Sequence, residues 1–309
     1  MAAVFDDHPE IPNQFVTELN GVSVYMKRED LLHPHVSGNK FRKLKYNLKN
    51  AISEGHDTLL TFGGAFSNHI AATAAAGKEC DLKTIGVIRG EELGKDLEKT
   101  LRENPTLNFA ASCGMEFDFV SRSAYREKTS EAMLKRLREK FGKFYLVPEG
   151  GTNVLAVKGC EEILSEEDKE FDVLCCAMGT GGTISGIINA SAEDQKVLGF
   201  PALKGDFLRP EVEKFTKKNN WEIITNYHFG GYAKVDRSLI DFVNGFKKEF
   251  GIQLDPVYTG KMMYGIFELI SKGNFSENTR ILAVHTGGLQ GISGMNNRLK
   301  NKNLPQIEL

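Results

Sequence analysis

Short apolar segments alternate with amphipathic stretches along almost the whole of this 309-residue chain. That alternation limits the possible folds more than any other feature. Strand candidates are Gly21–Met26, Thr58–Phe62, Thr84–Ile88, Glu116–Val120, Phe144–Val147, Val173–Ala177, Lys196–Gly199, Glu222–Thr225 and Ile281–His285. Between them the period changes to that of a helix. In Phe41–Gly55, Phe41, Leu44, Leu48 and Ala51 fall on one face, with Lys43, Lys45 and Lys49 on the outer side and Gly55 as the C-terminal cap. Strand and helix in turn predict βαβ units, hence an α/β fold of mostly parallel, twisted, open sheets with helices on both faces. About nine strands are many for one sheet in a chain of this length, so two sheets are expected. No Pro/Ser-rich linker, low-complexity tract or repeat marks a boundary between them.

The charge balance excludes some partners. There are 39 Lys and Arg against 41 Asp and Glu, without the basic excess that a nucleic-acid binder gathers on one face. No apolar run approaches the roughly 18 residues of a membrane-spanning helix. MAAVFDDHPEIP lacks the basic start and apolar stretch of a secretory signal. The five cysteines, Cys80, Cys113, Cys160, Cys175 and Cys176, form no C-x-x-C pair, and they read as small buried hydrophobes in a reducing compartment. A cytoplasmic protein is expected, with no metal.

Three glycine-bearing turns follow strand candidates, where open α/β sheets bind ligands against helix N-termini. The first is TFGGAFSNH, in which Ser67 is a good N-cap for the alanine-rich helix behind it. Such an N-terminus suits a carboxylate. The second, Met178–Gly186, carries Gly179-Thr180-Gly181-Gly182-Thr183, whose amides and hydroxyls can converge on an anion. It is neither a dinucleotide fingerprint, since Ile184 takes the place of the last glycine, nor a Walker A loop, which ends in G-K-[ST]. A phosphate cup for a mononucleotide-sized cofactor remains. The third, His285-Thr286-Gly287-Gly288, offers the Thr286 hydroxyl to a ring nitrogen or is a plain turn.

Lys40 opens the helix after Ser37-Gly38-Asn39. The positive end of the helix, with Arg42 and Lys43 as neighbours, favours its neutral amine, the form that Schiff-base chemistry needs, but local chemistry alone favours a solvated first-turn lysine. His33-Pro34-His35 reads as a loop, Asp255-Pro256 as the setter of a turn, and Ser130–Lys143 as a solvated helix with Met133, Leu134, Leu137 and Phe141 inward.

In this order the segments KREDLLHPHVSGNKFRKLKY, TFGGAFSNHIAATAAAG, VPEGGTNVLAVKG, GTGGTISG, DPVYTGK and HTGG, from Lys27 to Gly288, resemble fold type II pyridoxal-phosphate (PLP) enzymes. More narrowly, they resemble the 1-aminocyclopropane-1-carboxylate (ACC) deaminase and D-cysteine desulfhydrase family. The resemblance implies that Lys40 carries the cofactor as a Schiff base and that Asn68 bonds its phenolic oxygen. It implies that Gly179, Thr180, Gly181, Gly182 and Thr183 cradle its phosphate. Ser67, Asn68 and His69 would hold the carboxylate of a small amino-acid substrate, with Tyr232 and Tyr258 lining the substrate side. It also implies a large cofactor domain from 1–45 and 156–309, a smaller inserted domain at 46–155, and a homodimer.

Ring-opening deaminases resemble one another in a Glu after the tyrosine of DPVY and a Leu in the later H-x-G-G. This chain has Thr259 and Thr286 there. A carboxylate beside the pyridine nitrogen keeps it protonated and the ring a strong electron sink, whereas a threonine can only donate to a neutral nitrogen. Expelling a thiolate from the β-carbon is easier than opening a cyclopropane. The expected reaction is therefore α,β-elimination of D-cysteine to pyruvate, ammonia and hydrogen sulfide, with Lys40 as base and Ser67 or Tyr258 assisting. ACC deamination is the alternative. A PLP- or nucleotide-binding protein without catalysis is the alternative of another class, disfavoured by the presence of both Lys40 and Ser67.

Overall fold

The computed structural model describes residues 5, 6, 8–205 and 207–309. Of the stretch read for a secretory signal, residues 1–4 and Asp7 lie outside the described residues. In chain order the elements are β1 (Asn13–Leu19), β2 (Val22–Lys27), α1 (Asn39–Ser53), β3 (Thr58–Gly64), α2 (Asn68–Glu79) and β4 (Lys83–Arg89). Then come α3 (Leu97–Glu103), α4 (Pro105–Ser112), β5 (Glu116–Val120), α5 (Arg122–Arg126), α6 (Glu131–Phe141), β6 (Tyr145–Val147) and α7 (Val154–Glu161). The rest are β7 (Val173–Met178), α8 (Gly182–Ala190), β8 (Lys196–Pro201), α9 (Leu208–Glu213), β9 (Trp221–Ile223), α10 (Arg237–Phe250), α11 (Thr259–Ser271), β10 (Arg280–Val284) and α12 (Gly291–Lys300).

Two sheets result, as the alternation predicts. One has six strands in the order β1-β2-β10-β7-β8-β9, and the other has four in the order β5-β4-β3-β6. All pairings are parallel except β1 with β2. β7 shows why periodicity could identify a buried strand: VLCCAM is buried at every position, as a strand covered by helices on both faces must be. β1 was missing from the sequence reading. NQFVTEL groups its polar and apolar residues in pairs instead of alternating them, contains a register shift between Phe15 and Thr17, and lies at the edge, so its strand signal is weak.

The large core packs strands from the chain's two ends and its centre, with Val24, Cys175 and Ala283 in one cluster with Ile240, Met262 and Ile266. Gly55 ends α1 as expected. Its N–H bonds the Ile52 carbonyl and the next N–H bonds that of Ala51, which closes a Schellman turn at φ +68°.

One expectation for α1 fails. Lys43 and Lys45 do not point to solvent, being 2% and 9% exposed. The apolar face of α1 packs in the cluster with Leu59, Ala72 and Val147. Its other side lies on α7, so close that a Cβ on Gly159 would sit 2.0 Å from the Arg42 carbonyl oxygen. The helix is covered on both sides, and its polar residues find partners in the interior.

Candidate active site

Sheet order explains why distant turns meet. β10, the last strand, lies between β2 and β7 and runs parallel to both, with Val284 opposite Lys27 and Cys176. The turns leaving these three strands therefore open at one edge. Gly38, which caps α1, brings the first two into contact: its Cα faces the Thr286 carbonyl so closely that an added Cβ would lie 2.1 Å from that oxygen. The Asn39 N–H bonds the same carbonyl at 3.3 Å. The Asn39 side chain then crosses to the turn after β7, donating to the Thr183 hydroxyl at 2.8 Å and accepting from the Lys40 amine at 2.9 Å. Lys40 is thereby fixed between the second and third glycine turns.

The Lys40 amine is drawn down to about 7, by its desolvation first and by the charge of Lys43 second. Arg42, expected to share that role, contributes little net charge because it makes a buried two-pronged pair with Glu29 at 2.9 and 3.0 Å. Lys43 is the residue that sequence reading missed as part of the site. Its ammonium donates to the Gly150 carbonyl at 3.0 Å and the Thr152 hydroxyl at 2.9 Å, and lies 3.4 Å from the Thr180 hydroxyl. Burial lowers its pKa too. The signal was present one turn after Lys40, but a lysine on an amphipathic helix reads as solvated.

Gly179 to Thr183 form the turn into α8, with Gly181 left-handed at φ +84° as its N-cap. The first amides of α8 have no partners within the helix. Those amides, the Thr180 and Thr183 hydroxyls and the Lys43 ammonium form a donor set without a carboxylate among its contacts. That set suits a phosphate dianion, and the nearby amine of depressed pKa suits an aldehyde. The residues thus fit PLP. Gly179 also permits an approach from the other side: a Cβ there would lie 3.2 Å from the Tyr258 ring.

The α2 turn supplies the fourth wall. Ser67 caps it, accepting from the Ile70 N–H at 3.4 Å. Asn68 is aimed at the third turn, its Nδ2 within 2.9 Å of where a Gly288 Cβ would stand. His69, the second residue of α2, turns its ring inward. Its ring is 2% exposed and its Nε2 is 2.8 Å from the Thr61 hydroxyl, which also bonds the Val147 carbonyl. Burial and two lysine charges keep the ring neutral, and its Nδ1 has no hydrogen-bond partner among the described residues.

Asp255 sets the turn into α11, as read. One carboxylate oxygen accepts from the Val257 and Tyr258 amides, and the other from the Thr259 amide and hydroxyl, at 2.8–2.9 Å. Thr259, fully buried, is thus committed to Asp255. Thr286 is 8% exposed. Tyr258 and Tyr232 meet edge to face with centroids 6.2 Å apart. Burial, with the charges of Asp255 and Glu149, raises the Tyr258 phenol well above its ordinary value, so it is held protonated and suited to donate rather than to act as base.

His33 is a loop residue whose Nδ1 accepts from the His35 and Val36 amides. No group of His, Cys, Asp and Glu among the described residues could hold a metal ion, and none of their helices is long and apolar enough to cross a membrane.

The sequence matches the family described as pyridoxal-phosphate dependent enzyme over residues 8–287. It is 33% identical over 298 residues to the bifunctional D-cysteine desulfhydrase/ACC deaminase of Arabidopsis thaliana, covering 88% of this chain and 74% of that one. It is 25% identical over 297 residues to a D-cysteine desulfhydrase of Salmonella newport, covering 88% of each. The fold superposes on the crystal structure of an ACC deaminase homologue with a TM-score of 0.78 at 28% identity, covering 97% of this chain and 98% of that one. The chain belongs to the pyridoxal-phosphate dependent enzymes, among the homologues of ACC deaminase and D-cysteine desulfhydrase.

Proposed function

We propose that this enzyme eliminates a leaving group from the β-carbon of a small D-amino acid, converting D-cysteine to pyruvate, ammonia and hydrogen sulfide. PLP held by Lys40, Asn68 and the Gly179–Thr183 turn supplies an electron sink for the charge left at the α-carbon. The amides of Asn68 and His69, with the Ser67 hydroxyl, orient the substrate carboxylate at the positive end of α2. The Lys40 amine, with a pKa of about 7, can take a proton from the α-carbon and return it near neutral pH. Tyr258, kept protonated, offers its O–H at the substrate side.

The observation that carries the choice of elimination is the bonding of Thr259 and Asp255. The hydroxyl that stands where ring-opening deaminases carry a Glu is spent on Asp255, and all four hydrogen bonds to that carboxylate are local. That leaves Thr286 as the hydroxyl for a neutral ring nitrogen, which supports expulsion of a thiolate over carbon–carbon cleavage. ACC deamination is the second reading, favoured equally by the bifunctional Arabidopsis relative and by the ACC deaminase homologue of like fold. A cofactor domain from 1–45 and 156–309 with an inserted 46–155 domain, a homodimer and a cytoplasmic location belong to the same proposal. The strands of the four-stranded sheet, between Thr58 and Val147, are consistent with that division.

Release of a 2-oxo acid by the cofactor-loaded protein tests the reading, with D-cysteine and L-cysteine assayed for pyruvate and ACC in parallel for 2-oxobutanoate. Pyruvate from D-cysteine alone is expected. 2-Oxobutanoate from ACC would mean that a hydroxyl site drives ring opening and that the electron-sink argument is wrong. A second measurement addresses Thr286 directly. Thr286→Ala should keep cofactor affinity, because the phosphate donors lie elsewhere, while slowing elimination about tenfold. Unchanged turnover would remove Thr286 from the ring nitrogen.

A further inference from the structure

Lys261 is a cation in an unfavourable place. It lies in the first turn of α11, at the positive end of the helix, and is 1% exposed. Among the described residues no carboxylate lies within ion-pair distance of it, so the usual compensation for a buried charge is missing. Its ammonium instead meets three backbone carbonyls: Gly231 at 2.8 Å, His228 at 2.9 Å and Ala202 at 3.5 Å. An ammonium has three N–H donors and no acceptor, and three carbonyls satisfy it completely. Burial lowers its pKa to about 8, which leaves it charged at neutral pH.

The segment it holds is strained, although the Gly230 and Gly231 amides bond the ring and carbonyl of His228 and Arg298 donates to the Ala233 carbonyl. Phe229, Gly230, Gly231 and Ala233 all have positive φ, at +53°, +89°, +116° and +52°. Phe229 and Ala233 are residues that rarely adopt such angles, so the turn stores strain that something outside it must offset. Lys261 does so from the helix that also carries Tyr258, three residues earlier. Tyr232, between Gly231 and Ala233, is half-exposed, and its ring meets that of Tyr258 edge to face. One helix thus provides one tyrosine and pins the backbone of the other.

We propose that Lys261 is a positioning residue: its ammonium acts as a built-in monovalent cation that holds loop 228–233 through its carbonyls and keeps Tyr232 against Tyr258 at the substrate side. The proposal rests on the reading of these tyrosines as substrate-facing. It assigns Lys261 no contact with substrate or cofactor.

The test compares the holoenzyme with Lys261→Met, which keeps the stem and removes the charge, and with Lys261→Gln, which keeps a neutral donor. Amide hydrogen exchange, read by mass spectrometry, should accelerate about tenfold or more in peptides covering 228–233 of the Met variant and less in the Gln variant, with other segments unchanged. The covalent cofactor absorbance should stay, while KM for the substrate turned over rises about tenfold and kcat changes less. In Lys261→Ala, methylammonium chloride should restore slow exchange and KM, and tetramethylammonium chloride at the same ionic strength should not, because it has no N–H to donate. Wild-type exchange at 228–233 in both the Met and Gln variants overturns the proposal, as does a loss of protection spread over the whole chain. The exchange arm needs no turnover, so its failure is distinguishable from a failure of the D-cysteine reading.

Discussion

Lys40→Ala should abolish the visible absorbance of the covalently held cofactor and lower turnover about a thousandfold or more, since the same amine is both attachment point and base. The informative comparison is Lys43→Met. Both amines lie at one site and both are lowered by burial, so depressed pKa alone does not choose between them. Their hydrogen bonds do. Lys43 is tied to Gly150, Thr152 and Thr180, as a residue fixed to neutralise an anion would be. Lys40 has one bond, to Asn39, and is free to leave it. Lys43→Met should therefore keep the covalent absorbance and weaken cofactor affinity about tenfold to a hundredfold. The sign of the pH dependence follows from the neutral amine being the reactive form. Capture of added cofactor by the apoprotein should be half-maximal near pH 7, faster above and slower below, as the Lys40 amine titrates at about 7. Covalent absorbance retained in Lys40→Ala and lost in Lys43→Met would exchange the two roles.

What the sequence made legible follows from the range over which each signal acts. Gly179–Thr183, Ser67 as N-cap, Gly55 as C-cap and Asp255 as turn setter are local, decided within four or five residues, and each is found where it was read. The α/β class was legible because buried strands such as β7 are apolar throughout. Lys43 was misread because periodicity sees one face of a helix and cannot see α7 arriving on the other. His69 had a helix-start position in the sequence, but its partner Thr61 is on the preceding strand, and no local pattern shows which way a ring turns. Arg42 looked like a second charge on Lys40 because its pairing with Glu29 spans thirteen positions. Edge strand β1 left little trace for the reason that makes it an edge: only Val16 of it is buried.

Gly38→Ala is expected to damage the protein far more than its size suggests, and Gly55→Ala supplies the control. Both glycines have positive φ, +60° and +68°, so both variants bear backbone strain of about 1 kcal/mol. They differ in what a methyl group meets. At Gly55 nothing lies within 4 Å, whereas at Gly38 the new carbon would stand 2.1 Å from the Thr286 oxygen, 2.3 Å from its carbonyl carbon and 2.7 Å from the Gly287 nitrogen. All three are backbone atoms of the turn after β10, so no rotamer change can relieve the overlap. The start of α1 or that turn must move. Either movement breaks the Asn39 bond to Thr286 and shifts the Asn39 side chain that links Lys40 to Thr183. A loss of about 3 kcal/mol or more is expected for Gly38→Ala. For a chain of this size that is a fall in Tm of roughly 5 °C or more, against roughly 1.5 °C for Gly55→Ala. Cofactor capture should fail in the folded fraction of Gly38→Ala and remain normal in Gly55→Ala. Similar losses in the two variants would mean that the contact between the turn of Gly38 and that of Thr286 does not position Lys40, and the reason given for their convergence would fall with it.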